Sequence, residues 1–92
     1  MGGDGQPQTQ AMILSRYAWY GQGIQQAISA PRWLLGRTWG SEVTNVHIEN
    51  RFPAGVLDRL SSVGHELEVI GPYDDIMGHA GAIVLHPNGL IE

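Results

Sequence analysis

From Gln8 to Tyr20 the residues Ala11, Met12, Ile13, Leu14, Tyr17, Ala18, Trp19 and Tyr20 fall nearly all round a helical wheel, with Ser15 and Arg16 the main polar break. A helix apolar on most faces is a buried one, so the pattern predicts a core helix. Gly21-Gln22-Gly23 interrupts it, and Ile24, Ala27 and Ile28 restart the i, i+3, i+4 spacing of a second, amphipathic helix. That helix stops before Pro31, because proline pushes the residue preceding it out of the α region. Residues 33–41 have no period and read as a loop whose Trp33 and Trp39 pack down on the core rather than forming a ligand platform.

Val43 to Glu49 is β-branched, with Thr44, Val46 and Ile48 on one face and Asn45, His47 and Glu49 on the other, the pattern of a half-buried strand. Arg51-Phe52-Pro53 leads into a third helix, in which Val56, Leu57, Leu60 and Val63 form the expected buried stripe and Gly64 the C-cap. Leu67 and Val69 alternate with Glu66 and Glu68 in a strand with one wet face, and Gly71 to Asp75 is a turn. The run His79 to His86 is almost continuously apolar and predicts a strand buried on both faces. Pro87-Asn88-Gly89 then turns the chain into a last strand beginning at Leu90. A hairpin arm of three residues leaves its neighbour unpaired, so the polypeptide is expected to continue past Glu92. The resulting order is α-α-β-α-β-β-β, an α+β arrangement without internal repeats.

Ninety-two residues allow one domain at most. Charged residues make up only 15%, well below the roughly 25% of an ordinary globular protein, and lysine is absent. Two readings stay open: a surface partly covered by other polypeptide, or a weakly charged domain that stands alone. The net charge of −4 and the five scattered arginines give no basic stripe, which argues against a nucleic-acid partner. Without cysteine there is no disulfide or thiolate metal site, and the compartment stays undetermined. The apolar runs are too short to span a membrane, and the N-terminus is unlike a signal peptide.

The stretch Gly2-Gly3-Asp4-Gly5-Gln6-Pro7 before the first helix is the main candidate for chemistry. Glycine lets another molecule approach the backbone. The first N–H groups of a helix lack intrahelical partners and stabilise an anion. The stretch can equally be a loop with a capped helix start, since Gly-Gly-x-Gly matches neither the dinucleotide nor the phosphate-loop pattern. Of the four histidines, His47, His65, His79 and His86, none has zinc-site spacing. His65 and His86 read as structural, and His79, after Gly78, is the one candidate. Asp74-Asp75 could pair as carboxylates but suits solvated turn residues better. No serine lies in a nucleophile elbow.

Gly2-Gly3-Asp4-Gly5-Gln6-Pro7-Gln8, Ala30-Pro31-Arg32, a strand ending in Glu49, Leu60 through Gly64-His65, Gly78-His79-Ala80 and the turn at Asn88-Gly89 follow one another as in the C-terminal part of the γ-glutamyltransferase family, which the whole chain resembles. The resemblance implies that residues 1–92 form a single partial domain of an N-terminal-nucleophile hydrolase, a piece of its layered αββα fold. The precursor of such an enzyme cuts itself into two subunits, and the new N-terminal threonine attacks a γ-glutamyl amide to give an acyl-enzyme. By the same resemblance Gly2 and Gly3 supply oxyanion-hole amides. The nucleophile and the groups that grip the glutamyl moiety lie upstream of residue 1, and an Asp-Pro-Arg motif is expected after the final hairpin.

Met1 stands where the family usually has proline, as an added start codon would leave it. Glutathione-type members commonly carry serine after the glycine pair. Asp4 resembles instead the acylase-like branch, and is expected to cap the helix and point away from the cavity. The implied partners are the large subunit, the N-terminal part of the small subunit and a small γ-glutamyl or acyl amide, with no cofactor or metal. Alone, the chain is expected to be inactive and to self-associate through its apolar helix. The alternative is a free-standing module that binds an anion or small ligand at Gly2 to Gly5 without catalysis.

Overall fold

A computed structural model describes residues 5–36 and 45–92. Helix α1 spans Gln6–Ala18, with Gly5 at its N-cap and Pro7 in its first turn, where a missing N–H breaks no intrahelical bond. Its buried residues Thr9, Met12 and Ile13 lie one helical turn apart. Leu14 and the following Trp19 and Tyr20 are exposed, Trp19 by 81%. The all-round apolar pattern therefore misled: this helix buries one stripe, because α2 and β1 are the elements packed against it. Gly21, at φ +68°, turns the chain into α2 (Ile24–Ser29). Ala30 is extended ahead of Pro31, as the proline requires. Ile13, Ile24 and Ala27 form the core between the two helices, with Tyr17, Ile28, Ala80 and Val84 packed around them.

Three strands follow, β1 (Trp33–Leu35), β2 (Val46–Glu49) and β3 (Leu67–Ile70), in the order β1-β2-β3. β1 runs antiparallel to β2, with Leu34 opposite His47. β3 runs parallel to β2, with His47 opposite Glu68, and helix α3 (Ala54–Ser62) makes the crossover. Residues 33–35 thus belong to the sheet rather than to a loop. A three-residue strand is too short to display a period, and pairing with β2 decides its conformation. Trp33 remains 38% exposed instead of packing down on the core, while the expectation for Trp39 falls outside the described residues. β2 is central, and His47, Ile48 and Glu49 are all buried, so both of its faces are covered rather than one.

The later elements depart further from their patterns. α3 has no buried residue: Leu57 and Leu60 are half-buried, and Val56 and Val63 are exposed. Its end does follow the expectation. Gly64 (φ +104°) donates its N–H to Ser61 and His65 donates to Leu60, the two bonds of a Schellman cap. The turn after β3 contains a 3₁₀ helix, Asp75–Met77.

The run 79–86 is not a strand buried on both faces. Ala80 and Val84 face the α1–α2 core, whereas Ile83 and Leu85 are 82% and 72% exposed. Among the described residues it pairs on one side, through Val84 with Glu92 and Leu85 opposite Ile91. The turn is as expected, closed by Gly89 N–H on the His86 carbonyl with Gly89 at φ +85°.

Candidate functional site

Gly5 carries the backbone from the glycine stretch into α1, and that end of the helix is tied directly to the sheet. Gln8 Nε2 donates to the Leu35 carbonyl at 2.9 Å, and Leu35 N–H donates to Gln8 Oε1 at 2.7 Å. The antiparallel ladder explains why Leu35 is available. Gly36 N–H bonds Asn45 and Glu49 N–H bonds Arg32, so the even-numbered residues of this strand face β2. The polar groups of Leu35 therefore point out of the sheet edge. The side-chain amide of Gln8 makes one bond as donor and one as acceptor here, as a neighbouring strand would. The first turn of α1 is held at a fixed place beside β1.

Beneath it lies a buried ionic web. Glu49 has no exposed surface. Its Oε1 accepts from Arg32 N–H at 3.1 Å, and its Oε2 accepts from Arg51 Nε at 2.7 Å and Tyr73 N–H at 3.1 Å. Arg32 donates onward to the Met77 and Gly78 carbonyls at 3.0 and 2.9 Å. Arg51 donates to the Ser29 carbonyl and lies 3.8 Å over the Tyr73 ring. Arg16 reaches from α1 to the Ala27 and Pro31 carbonyls. One carboxylate thus joins the end of α2, the start of β1, the end of β2 and the turn after β3.

Burial alone would raise the Glu49 carboxyl, but the Arg51 hydrogen bond and the Tyr73 and Arg32 amides hold it below its ordinary range. Burial lowers Arg32, partly offset by Glu49. Burial, then the charges of Arg32 and Arg51, lowers Arg16. A carboxylate held ionised by three donors braces a fold and is poorly suited to exchanging protons.

The other candidate groups are dispersed. His79 is exposed, with Nε2 3.8 Å from the equally exposed Asp75. Asp74 caps the 3₁₀ helix by accepting from Ile76 N–H at 3.0 Å, so the two aspartates do not share a site. His86 bonds Glu92 at 3.0 Å across the hairpin. His47 Nε2 meets Glu68 at 2.9 Å, and its Nδ1 is buried with no partner among the described residues. His65 lines a groove of roughly 340 Å³ on the sheet with Trp33, Leu35, Val46, Ile48, Leu60 and Leu67. Among the described residues no three His, Asp or Glu side chains gather as a metal site would require. Among the described residues no helix is long and apolar enough to cross a membrane. Gly2 and Gly3, the expected oxyanion donors, and Asp4, the expected cap, lie outside the described residues.

Reading the chain for chemistry passed over Gln8 and the role of Glu49. One signal was present for Glu49: a charged residue closing a β-branched strand, two positions before an arginine, in a chain with few charges. Buried charges are almost always paired. Gln8 carries no comparable signal, since its partner lies 27 residues away.

The chain matches the family model described as Gamma-glutamyltranspeptidase over residues 1–92. It is 54% identical over its full length to an oxamate amidohydrolase proenzyme of Klebsiella pneumoniae subsp. pneumoniae. It is 47% identical over 99% of its length to a glutathione hydrolase-like YwrD proenzyme of Bacillus subtilis. The chain spans 17% of the length of each of these relatives. An acivicin-inhibited γ-glutamyltranspeptidase structure aligns with 67% of this chain and 31% of its own, at TM-score 0.55 and 28% identity. A Helicobacter pylori γ-glutamyltranspeptidase variant aligns with 89% of this chain and 42% of its own, at TM-score 0.60 and 21% identity, a likeness of fold.

Proposed function

Because the chain belongs to the γ-glutamyltranspeptidase family, we propose that it is the C-terminal part of the small subunit of a self-processing enzyme that hydrolyses or transfers γ-glutamyl or related acyl amides. The structural observation that supports this reading is the anchored start of α1. The helix that follows Gly2-Gly3 is pinned to the sheet by Gln8, and backbone donors stabilise an oxyanion only when they are held in place beforehand.

In the proposed reaction the threonine Oγ of the absent segment bonds to the amide carbon, and its proton passes to the threonine's own amino group. The carbonyl π electrons move to oxygen, and the Gly2 and Gly3 N–H groups donate hydrogen bonds to the oxyanion so formed. Collapse of the adduct breaks the C–N bond and expels the amine, which takes the proton. Water or an acceptor amine then releases the acyl group by the same steps. Asp4, where glutathione-type members carry serine, together with the 54% identity to an oxamate amidohydrolase proenzyme, favours a small carboxylate-bearing amide over glutathione. The solved structure bound to acivicin is described as revealing critical roles for its C-terminus in autoprocessing and catalysis. A corresponding role for these 92 residues belongs to the same proposal. No finding favours a free-standing anion-binding module.

The test is expression of the full-length precursor followed by assay against oxamate, a γ-glutamyl anilide, glutathione and other acyl amides. The expected result is cleavage into two subunits and release of ammonia or amine from at least one of them. A processed protein that releases neither from any of these amides would overturn the reading. The 92-residue chain by itself is expected to release none, and to sediment as a self-associated species.

A further inference from the structure

We infer that the outer edge of the arm carrying Ile83 and Leu85 is a docking site for an extended segment of the remaining precursor, which makes the hairpin 84–92 part of a larger sheet; this inference rests on the family reading above. The hairpin's own bonds decide which groups are left over. Val84 N–H donates to the Glu92 carbonyl, Glu92 N–H donates back to Val84, and His86 N–H donates to the Leu90 carbonyl. Leu85 lies opposite Ile91, between these bonded pairs. In an antiparallel ladder such intervening residues turn their N–H and C=O groups away from the partner arm. The backbone groups of Leu85, and by the same alternation those of Ile83, point along the outer edge, and among the described residues no hydrogen bond takes them up.

An exposed strand edge invites pairing, and proteins that leave one in water guard it with charge, proline or a bulge. No charged residue or proline interrupts Ala80-Gly81-Ala82-Ile83-Val84-Leu85, and Ile83 and Leu85 stay largely exposed. The chain does close the edge of its other sheet, where Gln8 occupies the outward groups of Leu35. A two-stranded hairpin is also marginal by itself and needs further strands or a packed face. Val84 packs on the α1–α2 core, while Ile83, Leu85 and Ile91 find no such cover among the described residues.

The occupant follows from the groups it must satisfy. A helix bonds its backbone groups to one another, so it could cover the apolar side chains but not the row of N–H and C=O groups. An extended strand about 4.8 Å away answers both. The chain spans 17% of the length of each relative named above, so the rest of the precursor is the source of that strand. Pairing of this kind is intramolecular and independent of concentration, unlike pairing with a second copy.

The experiment measures amide hydrogen exchange by NMR in the full-length wild-type protein, isotopically labelled at leucine, valine and histidine. The Leu85 amide is expected to exchange within about tenfold of the Val84 and His86 amides, whose partners lie inside the hairpin. Faster exchange than that overturns the inference, and so does protection that is lost on dilution, which would assign the edge to a second copy. Leu85→Pro removes the outward donor and none of the hairpin's own bonds, so it should lower the thermal midpoint of the full-length protein well below that of Leu85→Ala. Equal midpoints would mean that the edge stays unpaired. The amide assays described above are run on the same preparation: an active protein with an unprotected Leu85 overturns this inference alone, and an inactive protein with Leu85 protected overturns the proposed function alone.

Discussion

The two sides of the central strand β2 are stabilised by different means. On the side of β1, α1 and α2 the chain supplies its own partners. Gln8 satisfies the outward groups of Leu35, Arg16 and Arg32 end on backbone carbonyls, and Glu49 collects three donors. On the side of β3 and α3 the apolar pattern is just as clear in sequence, yet α3 buries no residue and Val69 is exposed. Hydrogen bonds are directional and must be answered by particular atoms at particular distances. An apolar stripe asks only for a surface, and any part of a larger polypeptide can provide one. Among the described residues the polar groups of the first side largely find their partners, whereas the apolar residues of α3 and β3, like Leu14, Trp19 and Tyr20 after the buried stripe of α1, stay largely exposed.

The strongest way to break that comparison is to remove the hub. Glu49→Ala in the full-length precursor should cost about 3 kcal/mol by chemical denaturation, because it removes the carboxylate shared by the half-buried Arg51 guanidinium and two backbone amides. A loss below about 1 kcal/mol, the scale of an ordinary surface pair, would mean the web contributes no more than a surface contact. The sign of the pH dependence follows from the lowered Glu49 carboxyl. Its contribution is fully present above the unfolded-state value and disappears as pH falls through the folded-state value. Glu49→Gln should therefore flatten the acid limb of the stability curve, and an unaltered limb would assign the acid sensitivity to other carboxylates.

The complementary change is Leu60→Ala, at a half-buried position lining the apolar groove. In the isolated chain it should shift stability by only about 0.5 kcal/mol, as most incompletely buried positions do. In the full-length precursor, with the groove covered, the loss should reach about 2–5 kcal/mol. Equal effects in the two settings would remove the distinction between a self-sufficient side and one that needs a neighbour.

The same distinction explains what could be read from the sequence. Breaks and caps are local and came through: Pro31 ends α2, Gly64 closes α3, and Asn88-Gly89 turns the hairpin. The α+β character and the family resemblance were legible for the same reason, since ordered short motifs survive without knowledge of packing. Burial was not legible, because it depends on what lies opposite. The apolar residues of α1, α3 and the run 79–86 predicted cover that the described residues do not provide, whereas Glu49, assigned to a wetter face, is wholly enclosed. β1 escaped notice because two long-range partners hold its three residues, the ladder to β2 and the clamp from Gln8. In the candidate site the scaffold below α1 could have been anticipated only in part. Ala30-Pro31-Arg32 and the strand ending in Glu49 appeared as separate family motifs, and the structure joins them through a reciprocal pair, Arg32 N–H donating to the Glu49 carboxylate and Glu49 N–H to the Arg32 carbonyl.

The smallest effects are expected where polar groups meet solvent, and there two adjacent aspartates provide an internal control. Asp74 accepts from Ile76 N–H at the start of the 3₁₀ helix and so fixes the turn that carries Met77, a buried residue whose carbonyl binds Arg32. Asp74→Ala should therefore cost about 1 kcal/mol, the usual value of a side-chain cap. Asp75 stands in solvent with only the distant, exposed His79 for company, so Asp75→Ala should leave the denaturation midpoint where it was. Were the two a functional carboxylate pair, either substitution would reduce turnover of the full-length enzyme by a similar factor. The capping geometry instead requires the effects to differ, and to appear in stability rather than in kcat. Asp74→Asn, which keeps the accepting oxygen, should restore most of the loss; failure of that rescue would show that charge, rather than the cap, is what the position contributes.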